Sequence, residues 1–303
     1  MRAQAGYPAR PVRVIVPFGP GGVTDVTVRI AAEKLGEKFS QRFVVENMPG
    51  PGGIASARAV LGGGNDGHTV GVAVNGTAVS VSLFKALPFD PVRDFDMVSM
   101  LGQFEAIFAV NADSPYKTLQ DFINAAKAQP GKINVGTVAA GSTQHLAAEL
   151  LKIDAGIDFQ IITYRTSPEI VVSLLRNDIQ MAIEFFPAVR GQLADRKVLA
   201  VATSASRRSA TLPDVPTVQE SGVPGYDVTS WNALYVLKGT APDVIRTLNQ
   251  AVQEVVAMPD VRRRFGEMGI EAMASTPEEL TARLRSDIDK WAKVIEKARI
   301  PKL

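Results

Sequence analysis

Apolar and polar positions along the chain fall into short blocks with two different periods. Val12-Arg13-Val14-Ile15-Val16 is a nearly continuous apolar run, the pattern of a buried strand. From Thr24 to Phe39 apolar residues recur at three- and four-residue spacing, which predicts a helix. The same reading predicts strands over Phe43–Glu46, Thr69–Val74, Phe104–Val110, Ile133–Gly136, Phe159–Thr163, Ile179–Phe185 and Val198–Thr203. Helices are predicted over Ile54–Leu61, Leu119–Ala128, Ser142–Leu151, Pro168–Arg176 and Asp243–Ala257, with a short one opened by Asn75-Gly76-Thr77. Thr276-Pro277-Glu278-Glu279 is a capping box with Pro at the first helical position. It launches a helix with Leu280, Leu284, Ile288, Trp291, Ile295 and Ala298 on one face, which assigns Trp291 to the core.

Alternating strands and helices predict an α/β fold with mainly parallel strands flanked by helices. One device recurs: a strand, then small or glycine residues, then a helix start. It occurs at Pro17–Asp25, Val74–Ser80, Gly136–His145 and Tyr164–Glu169. In parallel α/β sheets such turns gather at the carboxyl ends of strands, where ligands bind. Two belong to the first half of the alternation and two to the second, as expected of two lobes facing a cleft. Lobe one is expected over residues 6–102 plus 230–303 and lobe two over 103–229, with two crossings of the chain.

Composition narrows the function. Of 303 residues, 46% are hydrophobic and 21% charged, which fits a folded globular protein. Lys plus Arg number 33 and Asp plus Glu 31, a balance that gives no reason to expect nucleic acid or an anionic membrane as partner. The longest apolar runs fall well short of the roughly 18 residues needed to span a bilayer. No cysteine is present, which removes disulfides, thiolate metal sites and cysteine nucleophiles together. Ala3-Gln4-Ala5 has the A-x-A form of a signal-peptidase site and is read as the tail of a removed export signal.

The chemistry centres on Pro17–Gly22, "PFGPGG". Gly19 and Gly21 after a strand, with Glu46 ending the next strand, have the outline of a dinucleotide fingerprint. Thr24 stands where the third glycine belongs, and Pro20 removes an N–H donor from the turn. No G-K-[ST] follows, so a P-loop is excluded. The two histidines, His68 and His145, stand in no catalytic or metal-ligand pattern, so neither cofactor, metal nor catalytic residue is expected. Asp25, in the first helical turn, suits the macrodipole and braces the glycines. What remains is a row of backbone donors at a helix start, which suits an anion. "GTVAAGSTQH", Gly136–His145, is its counterpart: Ala139 and Gly141 allow close backbone approach, and Ser142 and Thr143 offer hydroxyls at a helix start. Hydrogen bonds to a charged group contribute about 1.5–3 kcal/mol each, so three to five reach the roughly 8 kcal/mol of micromolar binding. No arginine clamp is required.

These stretches resemble the substrate-binding proteins of tripartite tricarboxylate transporters, the Bug family. The resemblance runs through Tyr7–Ile30, "VENMPGPGG" (Val45–Gly53), "LPFDPVRDF" (Leu87–Phe95), "GSTQHLAAELL" (Gly141–Leu151), "LPDVPTVQESGVPGYDV" (Leu212–Val228) and "TPEEL" with the Trp291 helix. It implies a two-lobed periplasmic binding protein of type II-like architecture, acting as a monomer. Such a protein closes on a small mono- or dicarboxylate and delivers it to membrane transporter subunits, without catalysis. It places ligand contacts at Phe18, Gly21, Gly22, Gly141, Ser142 and Thr143, with Asn75 and Thr77 nearby and Ala139 in the second turn. Two departures mark the far end of the pocket. Tyr164-Arg165-Thr166-Ser167 replaces a glycine-rich turn, and Ile183-Glu184 replaces a strand end Phe-Asp, with Phe185 and Phe186 following as an aromatic floor or as core. Two other readings stand beside this one: a cofactor-dependent α/β enzyme holding a pyrophosphate at the first turn, and the effector-binding part of a sensor.

Overall fold

The apolar run Val12–Val16 forms β1, with Val12, Ile15 and Val16 fully buried, and the glycine turn after it leads into α1 (Val23–Phe39). A computed structural model describes residues 6–303, and the Ala3-Gln4-Ala5 motif lies outside them. Next come β2 (Phe43–Asn47), a single 3-10 turn at Pro51–Gly53, α2 (Ile54–Leu61), β3 (Thr69–Val74) and α3 (Asn75–Leu83). β4 (Phe95–Asn111) is one strand of 17 residues. The sequence reading ends a connection at Phe95 and starts a strand only at Phe104. Almost every side chain in the span is buried, and Gln103 and Glu105 are interruptions too brief to end it.

The chain continues through α4 (Leu119–Ala128), β5 (Asn134–Thr137), α5 (Thr143–Ala155), β6 (Gln160–Thr163) and α6 (Ser167–Leu175). Then follow β7 (Met181–Phe185), α7 (Phe186–Ala194), β8 (Val198–Thr203) and β9 (Thr229–Leu237). The C-terminal part is α8 (Pro242–Ala257), α9 (Pro259–Gly266), β10 (Glu271–Ala272) and α10 (Pro277–Lys297).

Two compact units divide these elements. The first holds the chain up to Gln103, Trp231–Ala292 and Pro301–Leu303; the second holds Phe104–Ser230 and Lys293–Ile300. The sequence reading gives all of 230–303 to one lobe, whereas Lys293–Ile300 groups with the second unit because α10 runs on past Ala292.

In the first unit β1 pairs in parallel with β2 and β3, with Val14 opposite both Val45 and Val70. β9 runs antiparallel to β3, and β10 antiparallel to the first half of β4. In the second unit β5 pairs in parallel with β6 and β7, while β4 lies antiparallel to β7 and β8. Each sheet is therefore mixed. It is parallel where strand–helix units wind and antiparallel where the long strands β4 and β9 enter.

The capping box at Thr276 forms as read. Thr276 Oγ1 accepts the Glu279 N–H at 3.1 Å, and Glu279 Oε2 accepts the Thr276 N–H at 2.8 Å. Leu280, Leu284, Trp291 and Ile295 are buried along α10. Ile288 is only half-buried, and Asp287 takes the inner position beside it. A buried acid needs partners. Asp287 Oδ2 accepts the Trp231 indole N–H at 2.7 Å and the Arg283 Nε–H at 2.8 Å.

Candidate functional site: two glycine turns at helix starts

In the first unit the turn is a braced loop. Gly21 has φ +85, a left-handed conformation that favours glycine, while Gly22 is extended at φ −76, ψ 169. The first intrahelical bond of α1 runs from Val26 N–H to Gly22 O at 3.0 Å, so the amides of Gly22, Val23 and Thr24 precede the ladder. The Gly21 amide is used internally: it donates to Asp25 Oδ2 at 2.9 Å. Asp25 is buried and also accepts from Arg29 Nε at 2.9 Å and from Asn47 Nδ2 at 2.8 Å. Asn47 donates as well to Phe18 O, at 2.9 Å. Burial pushes the Asp25 carboxyl up, but the bonds from Arg29, Gly21 and Asn47 outweigh it and hold the group below the usual carboxylate range. Sequence reasoning gave the bracing role to Asp25. It missed Asn47, which only the parallel pairing of β1 and β2 brings to the turn.

Glycine at position 22 is not demanded by its own surroundings. Its φ suits any residue, and a Cβ there would meet nothing within 4 Å. The missing side chain leaves open space over the helix start. Phe18 stands 46% exposed on the same turn.

The second unit repeats this geometry. Gly141 has φ +81 and Ser142 is extended at φ −66, ψ 161, immediately before α5. Ser142 Oγ accepts the His145 N–H at 3.1 Å, an N-cap bond, and Ser142 N–H donates to Ala139 O at 3.1 Å. The ladder begins with Leu146 N–H to Ser142 O at 2.9 Å, so the Thr143 and Gln144 amides precede it. Ala139 is exposed and Thr143 is buried. Burial, with Lys152 adding to it, lowers the His145 pKa, so the ring favours its neutral form and does not supply the positive character its position suggests.

Two sequence-predicted residues are engaged structurally. Asn75 is fully buried and its Oδ1 accepts the Trp291 indole N–H at 2.7 Å. Thr77 is half-buried and its Oγ1 accepts the Val74 N–H at 3.1 Å. Nearby in the same unit Thr24 Oγ1 donates to Asn232 Oδ1 at 2.9 Å, and Asn232 Nδ2 is buried without a partner among the described residues. The sequence carried no signal for Asn232.

Tyr164 and Glu184 both lie in the second unit. Tyr164 N–H donates to Thr137 O at 2.9 Å, and Tyr164 is half-buried. Glu184 is only 1% exposed. Its Oε2 accepts from Gln144 Nε2 at 3.4 Å and from the Phe185 N–H at 3.2 Å, and a hydrogen bond joins the carboxyl to Ser167. Burial raises its pKa against the opposing effect of these three bonds. The two phenylalanines are packing residues. Phe185 meets Phe104 edge-on at 4.8 Å, and Phe186 packs on the cluster around Ile107, Ile170 and Val189.

A cavity of about 820 Å³ in the first unit lies at the starts of α8 and α10 and is lined by residues that include Asp96, Arg246, Asn249 and Arg285. None of the turn residues lines it. It is an open groove between helices, without the ordered donors at a strand end that a built anion site requires.

Two α/β units, each with backbone amides ahead of the helical ladder directly after a glycine turn, have the arrangement of a binding protein for a small anionic solute. The profile of the family described as "Tripartite tricarboxylate transporter family receptor" (TctC) matches residues 27–300, and the chain belongs to that family of solute-binding proteins, which are not enzymes. Protein BugT of Bordetella pertussis is 33% identical over 291 residues, covering 95% of this chain and 89% of its own. Among solved structures, Rpa4515 of R. palustris with adipate superposes with a TM-score of 0.85 at 28% identity, over 98% of this chain and 100% of that one. MatC (Rpa3494) of Rhodopseudomonas palustris with bound malate gives a TM-score of 0.80 at 29% identity, over 95% of this chain and 100% of that one.

Proposed function

We propose that this chain is an exported, periplasmic receptor that binds a small organic carboxylate and passes it to the membrane subunits of a tripartite tricarboxylate-type transporter. One observation carries the reading. The same turn, a left-handed glycine followed by an extended N-cap, opens α1 at Gly21-Gly22 and α5 at Gly141-Ser142. Each offers amides ahead of the helical ladder, where the macrodipole favours a negative charge. Gly22, Gly141, Ser142 and Thr143 serve as anion donors. Ala139 leaves the second turn accessible, and exposed Phe18 supplies apolar contact. Gly21 shapes the first turn, while Asn75 and Thr77 set the start of α3. Tyr164 belongs to the far part of the second unit's site, while Glu184, almost fully buried, is left out of the direct ligand contacts. The relatives that hold adipate and malate support a dicarboxylate. The working form is a monomer with its export signal removed.

A thermal-shift screen of mono- and dicarboxylates, amino acids and nucleotide cofactors tests this. Adipate, malate or a related acid is expected to raise the melting temperature. A shift with NAD or a flavin, and none with any carboxylate, would remove the reading.

A further inference from the structure

Glu184 ends β7 inside the second unit, joined to the starts of three helices. The Gln144 side-chain amide comes from α5 at 3.4 Å, the Ser167 hydroxyl from α6, and the Phe185 N–H from the residue before α7 at 3.2 Å. All three partners are neutral. Glu184 Oε1 is buried and has no hydrogen-bond partner among the described residues. The ionisable side chains on the surrounding elements are Asp96 and Glu105 of β4, His145, Glu149, Lys152 and Asp154 of α5, Tyr164 after β6, Glu169 of α6 and Arg190 of α7. None is among the groups acting on this carboxyl. A full charge here would leave Oε1 with neither donor nor cation among the described residues, a heavy penalty for a buried carboxylate. The protonated acid strands only one hydroxyl and keeps its other oxygen as acceptor for the donors around it.

We propose that Glu184 holds a proton in the ligand-free protein, so that no fixed negative charge stands behind the Gly141–Thr143 turn, and that carboxylate affinity consequently falls as pH rises. The inference rests on the carboxylate reading above. Glu184 is a positioning residue: it acts through Gln144 and Ser167, which stand in the first turns of α5 and α6. Once ionised, it competes with the ligand for the same helix ends. The coupling is reciprocal: a bound anion raises the proton affinity of Glu184 by the factor that the lost proton lowers anion affinity. The direction of its shift agrees, since burial moves the group above the ordinary glutamate range and the charge appears only as pH climbs past that range.

Calorimetric titration with malate from about pH 7 to about pH 9 tests the coupling, because both carboxyls of malate are ionised well below that window. Wild-type affinity is expected to fall about tenfold for every pKa unit by which the bound acid shifts Glu184. Glu184→Gln keeps the shape and the acceptor oxygen but does not ionise. It is expected to hold the low-pH affinity across the window. Carbon-13 NMR of the glutamate carboxyls, with Glu184 assigned by its loss in the variant, reads the proton directly. A flat wild-type profile, an equal fall in Glu184→Gln, or a Glu184 carboxyl that ionises with the surface glutamates each overturns the inference while leaving the carboxylate reading intact. No binding of malate or adipate at any pH overturns that reading and the coupling with it.

Discussion

The Asp25 carboxylate accepts the Gly21 N–H across 2.9 Å, and this bond shapes the glycine turn before α1. It spends an amide that the sequence reading assigned to the ligand. In return it fixes the loop so that the Gly22, Val23 and Thr24 amides stay in place at the start of α1. Asp25→Ala is expected to lower stability by about 1–3 kcal/mol, the cost of leaving the Gly21 donor unpaired and Arg29 without its acid. Carboxylate affinity should fall with it. Chemical denaturation and calorimetry on one preparation measure both, and an affinity change with no change in stability would contradict the bracing role.

The same carboxyl predicts part of the acid sensitivity. Its folded pKa lies below the unfolded value near 3.8, so its contribution is present above that value and lost as pH falls through the lower folded one. Asp25→Asn should therefore be less stable than wild type at neutral pH, and the gap should narrow below about pH 4. Urea midpoints measured across that range check the sign. A gap that widens on acidification would contradict it.

Trp291 donates its indole N–H to the buried Asn75 Oδ1 at 2.7 Å. Trp291→Phe keeps an aromatic ring but orphans that oxygen, and about 1–3 kcal/mol should be lost. Malate affinity of the folded variant should stay within about twofold of wild type, because the bond removed joins α3 to α10 and lies in the packing of the first unit. A large loss of affinity at unchanged stability would return Asn75 to the ligand site.

Much of this was legible in the chain. β1, α2, β3, α4 and β8 appear at the bounds their periodicity predicts, and the Thr276 capping box forms as its residues require. Local patterns set these features, so one sequence suffices to read them. β4 was read short because burial on both faces erases the alternation that marks a strand. The inner position of Asp287 was missed for a different reason. Its partner Trp231 stands on strand β9, and no helical period encodes a long-range hydrogen bond. The turns themselves were readable as glycines before a helix. How their amides are shared, with Gly21 spent on Asp25 and His145 on Ser142, depends on atoms that only the folded loop brings together.

The observed capping role of Ser142 and the ligand contact proposed for it can be separated. Its Oγ caps α5 through the His145 N–H, so Ser142→Ala should cost about 1 kcal/mol of stability. Ser142→Gly should cost only a few tenths while still removing the hydroxyl from the anion turn. Comparable losses of carboxylate affinity in both, with unequal losses of stability, are expected from paired denaturation and calorimetry. Affinity that tracks stability through the two variants would reduce Ser142 to a cap.

The most direct measurement is calorimetry of adipate and malate binding to wild type and to Gly22→Val. Gly22 adopts a φ open to any residue, with nothing within 4 Å of the added Cβ, so the variant should fold normally. Its valine would occupy the space over the first helix start. Binding of at least one acid in the micromolar range by wild type, reduced by at least about tenfold in Gly22→Val at an unchanged melting temperature, is the predicted result. Equal affinities in the two proteins would contradict the claim that this turn is where the carboxylate is held.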